Sequence, residues 1–116
     1  MQVEFALALP SRSNARGRSI AAAKKQALQR TAARLAVQAS GEVFVFPVVV
    51  TVTRISTRTL DPFDNLPGSL KSVVDGVCDA LGVRDDASET RVRFVARQEK
   101  VKGLKGQRVR IEITSC

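Results

Sequence analysis

Val43-Phe44-Val45-Phe46-Pro47-Val48-Val49-Val50-Thr51-Val52-Thr53-Arg54-Ile55 is the stretch on which the fold turns. It is a long β-branched run, and β-branched side chains fit a pleated, half-buried surface. Val48, Val50 and Val52 alternate with Thr51 and Thr53, so the run reads as a strand over Val43–Ile55 with one wetter face. Pro47 has no amide hydrogen to give to a ladder, which places an edge, a bulge or a strand start at that point. The run also divides two helical segments, so the sheet is assembled from strands separated by helices.

Upstream, Ile20 to Gln38 is Ala-rich and holds no breaker; Ser19 reads as its N-cap and Gly41 as its stop. Ala23, Ala27, Leu28 and Leu35 give this helix a thin apolar stripe, with Lys24, Lys25, Arg30 and Arg34 over much of the rest. Val3 to Leu9 alternates and halts at Pro10, as a first strand does. Between them lies a loop of Ser, Arg, Asn and Gly that carries Asn14, Arg16 and Arg18.

Downstream, a loop over Ser56–Ser69 leads to a second helix over Ser69–Leu81. Leu70, Val73, Val74, Val77, Cys78 and Leu81 recur there at spacings of three and four, and Gly82 closes it. Arg91–Arg97 and Arg108–Ile113 alternate charged and apolar residues around a Lys/Gly turn at Lys100–Gly106, which predicts a basic terminal hairpin. The order β-α-β-α-β-β over residues 1–116 is that of a single small α/β (α+β) domain with two helices.

The composition excludes several chemistries. The chain has 116 residues, a net charge of +8 and no His. Two distant cysteines cannot make a zinc site, and Ser-His-Asp or Cys-His catalysis has no base. Cys78 sits in an apolar-periodic segment and Cys116 at the terminus, so no disulfide is expected and a reducing cytoplasm fits. No apolar run reaches the roughly 20 residues of a membrane span, and Met1–Phe5 has no basic signal region. The excess of Lys and Arg points to nucleic acid ahead of a membrane surface or an acidic protein.

Charge is also unevenly placed. Phe5 to Gly41 holds no acid, whereas seven of the eleven carboxylates fall between Asp61 and Glu89. Asp61 and Asp64 precede the second helix, Lys71 and Asp75 share one of its faces, Asp79 continues that row, and Asp85 and Asp86 follow Gly82. The two acidic loops stand at opposite ends of a helix roughly 20 Å long. Two carboxylates about 4 Å apart repel by about 4 kcal/mol at an effective dielectric near ~20. A gathered cluster needs a cation or protonation to relieve it, so these acids are either dispersed in solvent or built around a metal; Mg²⁺ suits carboxylate and water ligands while leaving positions for phosphate oxygens. Each piece also has a plain reading: an Asp-Pro turn, a cap at Asp64-Asn65, a polar turn at Asp85-Asp86, and a Lys71–Asp75 helix pair.

Taken together, Leu60-Asp61-Pro62-Phe63-Asp64-Asn65-Leu66, then Leu70-Lys71 and Val74-Asp75-Gly76, then Leu81-Gly82-Val83-Arg84-Asp85-Asp86-Ala87, resemble the RusA family of phage- and prophage-associated Holliday junction resolvases. The resemblance implies a mixed sheet and a homodimeric endonuclease in the bacterial cytoplasm. It would use Mg²⁺, with Mn²⁺ as an alternative, to nick opposed strands of four-way or branched DNA. By the same resemblance Asp61, Asp64 and Asp86 are catalytic metal ligands together with Asp85, and Lys71 neutralises charge on the phosphate. Asp75 and Asn65 rank second. DNA contacts are expected from Asn14, Arg16, Arg18, Lys24, Lys25, Lys100, Lys102 and Lys105. Two residues rather than one separate Asp61 from Asp64, which keeps open a second reading, a DNA-binding protein that has lost its nuclease activity.

Overall fold

The computed structural model describes residues 1–9, 20–63, 65–83 and 91–115. These residues form a mixed α+β domain: β1 (Gln2–Ala6), α1 (Ile20–Ala39), β2 (Val48–Ser56), α2 (Asn65–Ser69), α3 (Lys71–Leu81), β3 (Val92–Lys100) and β4 (Arg108–Ser115). The strands lie in the order β1-β4-β2-β3. β4 runs antiparallel to both β1 and β2, and β2 pairs in parallel with β3 from Val48↔Val92 to Ser56↔Lys100.

This topology corrects the expected terminal hairpin. β3 and β4 do not pair, because β2 lies between them. The Lys/Gly segment after β3 crosses the end of β2, where Val101 N–H donates to the Ser56 carbonyl at 2.9 Å. The physical reason is burial. Val48, Val50, Val52, Thr53, Arg54, Ile55 and Ser56 are all buried, so β2 needs a neighbour on both edges and takes the centre of the sheet. β2 is also shorter than the 43–55 run. It begins after Pro47, which a cis peptide bond joins to Phe46, and Val43 and Val45 are exposed.

Helices cover one sheet face only. Val48, Val50 and Val52 of β2, Val109, Ile111 and Ile113 of β4, and Val92 of β3 meet Leu66, Leu70, Val73 and Val77 of α2 and α3 and Ala33 and Val37 of α1. The other face is sealed by long charged side chains. Glu4 on β1 takes Arg108 Nε at 3.0 Å and Arg110 Nε at 3.1 Å, and Arg110 Nη1 reaches Glu99 on β3 at 3.0 Å. Arg110 stands beside Thr53 in the ladder and Arg108 beside Ile55, so their stems lie over two β2 residues that stay buried without a helix. Arg108 first, then Arg110, holds the Glu4 carboxyl below the usual carboxylate range.

The two long helices meet at a single small residue. A Cβ on Gly76 would collide with the Arg30 carbonyl oxygen and lie 2.8 Å from the Ala33 Cβ. That contact sets the buried face of α1 as Gln29, Ala33 and Val37. The expected stripe of Ala23, Ala27, Leu28 and Leu35 is instead exposed, with Leu28 at 68% and Leu35 at 52%. Close approach selects small side chains on the contact face and turns the leucines outward. Gln29 is held inside by its Nε2, which donates to the Ala8 carbonyl at 2.8 Å. α3 ends at Gly82, whose φ of 72° suits a left-handed cap, with Val83 N–H returning to the Cys78 carbonyl at 3.0 Å. Cys78 is a buried apolar residue, as its position in the sequence indicates.

Beside Gly76 the same Arg30 binds Asp79 in bidentate fashion, at 2.6 and 2.7 Å, and lies 3.9 Å from Asp75. Asp79 is thus an interhelical partner rather than a plain solvent-facing charge, and Arg30 holds its carboxyl below the usual range.

Two measurements test this helix junction. Gly76→Ala should destabilise the domain by about 2–3 kcal/mol, the upper part of the overpacking range, because the obstacle is backbone; a denaturant midpoint matching wild type would refute the contact. Asp79→Asn should cost about 1 kcal/mol or less at neutral pH, since the pair is partly exposed. A depressed carboxylate stabilises above its unfolded pKa, and that contribution disappears as the pH falls through the folded pKa. The gap between the two proteins should therefore close below the usual Asp range of about 4. A gap that persists in acid would mean that the cost is not electrostatic.

Candidate functional site

The acid-rich loop leaves the C-terminal end of β2 and is tied down from beneath. Arg54 on β2 and Gln98 on β3 are ladder partners on the helix-covered face. Arg54 Nη1 donates to the Arg58 carbonyl at 2.7 Å. Gln98 Nε2 donates to the Leu60 carbonyl at 2.8 Å, and its Oε1 accepts Leu60 N–H at 2.7 Å. This cross-strand pair holds the backbone on either side of Thr59 and so positions Asp61.

Asp61 then forms a turn. Its Oδ1 accepts Phe63 N–H at 3.2 Å and its carbonyl accepts Leu66 N–H at 2.9 Å, which starts α2. This is the side-chain-to-backbone bond that makes Asp common in turns. The second carboxylate oxygen, Oδ2, accepts no hydrogen bond among the described residues, and Asp61 is exposed. The turn leaves the Phe63 ring 92% exposed at its tip. The single expected helix over Ser69–Leu81 is divided: α2 makes one short turn, and α3 starts at Lys71.

On α3, Lys71 Nζ lies 3.2 Å from Asp75 Oδ1, one turn apart on the face away from the core. The expected Lys71–Asp75 proximity is therefore present. Asp75 also faces Arg30, so two cations attend one carboxylate. Among the described residues no three acids gather in a metal-binding group. Asp64, Asp85 and Asp86 lie outside the described residues, as do Asn14, Arg16 and Arg18. Asn65 is half-buried as the first residue of α2. Lys24 and Lys25 are exposed on α1, Lys100 is exposed at the end of β3, and Lys102 and Lys105 are exposed on the crossing segment after it.

Arg54 is the residue that sequence reasoning passes over. It is 3% exposed, its Nε has no acceptor, and among the described residues it has no carboxylate partner. Burial pushes its pKa down from the usual arginine value, the direction expected when a guanidinium leaves water. The buried Ser69 hydroxyl, at the end of α2, also has no partner among the described residues. The sequence carried one signal for Arg54: a charged residue at the position where the Val48, Val50, Val52 alternation calls for an apolar one. Gln98 carried none, since its role depends on β3 lying beside β2.

Compared with family models and with curated proteins, the chain finds no match in either.

The cross-strand pair can be dissected. Gln98→Ala removes both bonds to Leu60 and should destabilise the protein by about 1–3 kcal/mol, with faster amide exchange at Leu60. Arg54→Met should be neutral or stabilising, because no opposite charge is left behind. Unchanged exchange at Leu60 in the Gln98 variant would show that Gln98 does not hold this loop.

Proposed function

We propose that this protein is a Mg²⁺-dependent endonuclease of the RusA type that nicks four-way or branched DNA. The observation that carries the reading is the motif segment from Leu60 to Ala87: an acid loop, a Lys and an Asp on the following helix, and an Asp pair after it. Its supports are local. The Asp61 loop is anchored to the sheet at Leu60, and Lys71 and Asp75 pair on α3, with Lys71 exposed and Asp75 turned toward Arg30 of α1. The net charge of +8 favours a polyanionic substrate.

The donor chemistry fits a hard cation. Every candidate ligand is a carboxylate, the chain has no His, and Asp61 keeps one oxygen open. Asp61, Asp64 and Asp86, with Asp85, would hold Mg²⁺ or Mn²⁺. Bound there, the ion would supply Lewis acidity and charge neutralisation at the scissile phosphate. The chain's own groups do the rest. Gln98 and Arg54 orient the acid loop. Lys71 offers its ammonium to a phosphate oxygen, with Asp75 holding it in place. A homodimer would set two such sites in the two-fold symmetry of a junction. The exposed Ile20, Leu28 and Leu35 on α1 offer apolar surface for such an association.

A second reading is favoured by specific contacts. Asp61 Oδ1 is engaged in a turn, and Asp75 is engaged by Lys71 and Arg30. In that reading the chain binds phage DNA without cutting it.

One assay separates the two. With Mg²⁺ the wild-type protein should nick a synthetic four-way junction, whereas Asp64→Asn and Asp86→Asn should lose nicking yet keep junction binding. Normal cutting by those variants would reject the site. Salt-sensitive binding with no cleavage under any divalent metal would establish the second reading; with 6–10 phosphate contacts, affinity should fall by roughly 10³–10⁵ between about 50 and 200 mM salt.

A further inference from the structure

We infer that the outer edge of β3, with the segment after it, is the surface that tracks the DNA backbone. The inference rests on the nucleic-acid part of the function proposed above and not on cleavage. It comes from sorting the cations by what they touch. Arg30 is bound by Asp79, Arg108 and Arg110 by Glu4 and Glu99, and Arg54 is buried. Arg91 stacks over the Phe46 ring at 4.6 Å. Among the described residues Arg93, Arg97, Lys100, Lys102 and Lys105 form no ion pair, and all five are exposed. The one acid of β3, Glu99, is engaged by Arg110. Arg93 and Arg97 thus stand together on the open face of β3, with Lys100 at its end and Lys102 and Lys105 on the segment beyond, and no free carboxylate of β3 among them.

Its geometry suits a phosphodiester chain. β3 is the last strand of the sheet, so among the described residues its outer edge has no strand partner. At about 3.3 Å per residue, Arg93 and Arg97 stand roughly 13 Å apart on one face, and the nine-residue strand spans roughly 30 Å. One strand of DNA carries a charge about every 3.4 Å of axis, so cations roughly 13 Å apart match phosphates about four apart along one strand, without any reading of bases. Gln98, one residue beyond Arg97, points to the helix-covered face and binds the Leu60 backbone beside Asp61. The Arg93 and Arg97 row therefore stands on the face opposite the one from which the acid loop is held. An acidic peptide at the same edge is the competing occupant, which poly-glutamate represents in the test.

Fluorescence anisotropy in EDTA tests this with a four-way junction and a linear duplex. The double variant R93Q/R97Q should lower the slope of log affinity against log salt by about two, at roughly 0.9 per phosphate contact. Its affinity at physiological salt should fall at least tenfold, with an unchanged circular dichroism spectrum. The variant K24Q/K25Q removes the same charge from the helical layer and should lose less. Equal losses in the two variants would reduce the effect to net charge and overturn the inference. Displacement of DNA by poly-glutamate at equal charge would overturn the assignment to nucleic acid. A wild-type protein that binds neither DNA would overturn both this surface and the nuclease reading. Binding that follows the expected slopes, from a protein that never nicks with Mg²⁺, would remove the nuclease reading alone.

Discussion

The close approach of α1 and α3 at Gly76 is the constraint on which the rest of the structure depends. Only a hydrogen fits between the α3 backbone and the Arg30 carbonyl. With that contact made, both helices lie over one face of a four-stranded sheet. The consequences run outward. The contact face of α1 carries Ala33, and its leucines are displaced to the solvent side. The Arg30 side chain is left beside Asp79 and Asp75, so ion pairing reinforces the same junction. α3 is thereby rotated with Val73 and Val77 inward, Asp75 toward Arg30 of α1 and Lys71 outward. The side that bears the candidate chemistry is set by the glycine next to Asp75.

Much of this fold is legible in the residues, and the exceptions share a cause. The position of α1, the Gly82 stop and the alternation in β3 and β4 are all local properties, read from periodicity and punctuation; the wetter face expected of β2 is not found, since Thr53 and Ile55 are buried. The terminal hairpin is not local. Arg91–Arg97 and Arg108–Ile113 are close in sequence and alternate alike, so adjacent pairing is the simple expectation. What overrides it is the burial of β2 on both faces, to which Arg110 contributes by reaching across from β4 to Glu99 on β3. A side chain that covers a strand from the strand beside it leaves no trace in a pattern of alternation. The α1 stripe fails for a related reason. Helical spacing identifies rows of apolar residues, but which row is buried depends on how near the neighbouring helix comes.

The site divides in the same way. Lys71 and Asp75 are four apart on one helix, and their contact follows from helical geometry alone. Asp61 beside Pro62 reads as turn chemistry, and its carboxylate does bond the Phe63 amide. Arg54 and Gln98 are different. They become partners only because β2 and β3 run parallel in one register, and their joint hold on residues 58–60 is a tertiary fact. A buried guanidinium without a carboxylate is costly. Here one of its nitrogens bonds a carbonyl of the loop that leads to Asp61. Arg54 is thus better understood as a support for that loop than as a contribution to the core.

Net charge says how much cation a chain carries, not how much of it a partner can use. Several of the nineteen Lys and Arg side chains of this protein are committed internally: Arg30 joins two helices, Arg108 and Arg110 roof the open sheet face, and Arg54 lies inside. The acids Glu4, Asp79 and Glu99 are engaged in those same pairs. What the pairing leaves on β3 and the segment after it is positive charge with no free carboxylate among it. The excess of charge in the composition thereby becomes a direction in space, running along β3 and the segment after it. Attraction of a polyanion to that strand, as proposed, would not require the rest of the surface to be basic.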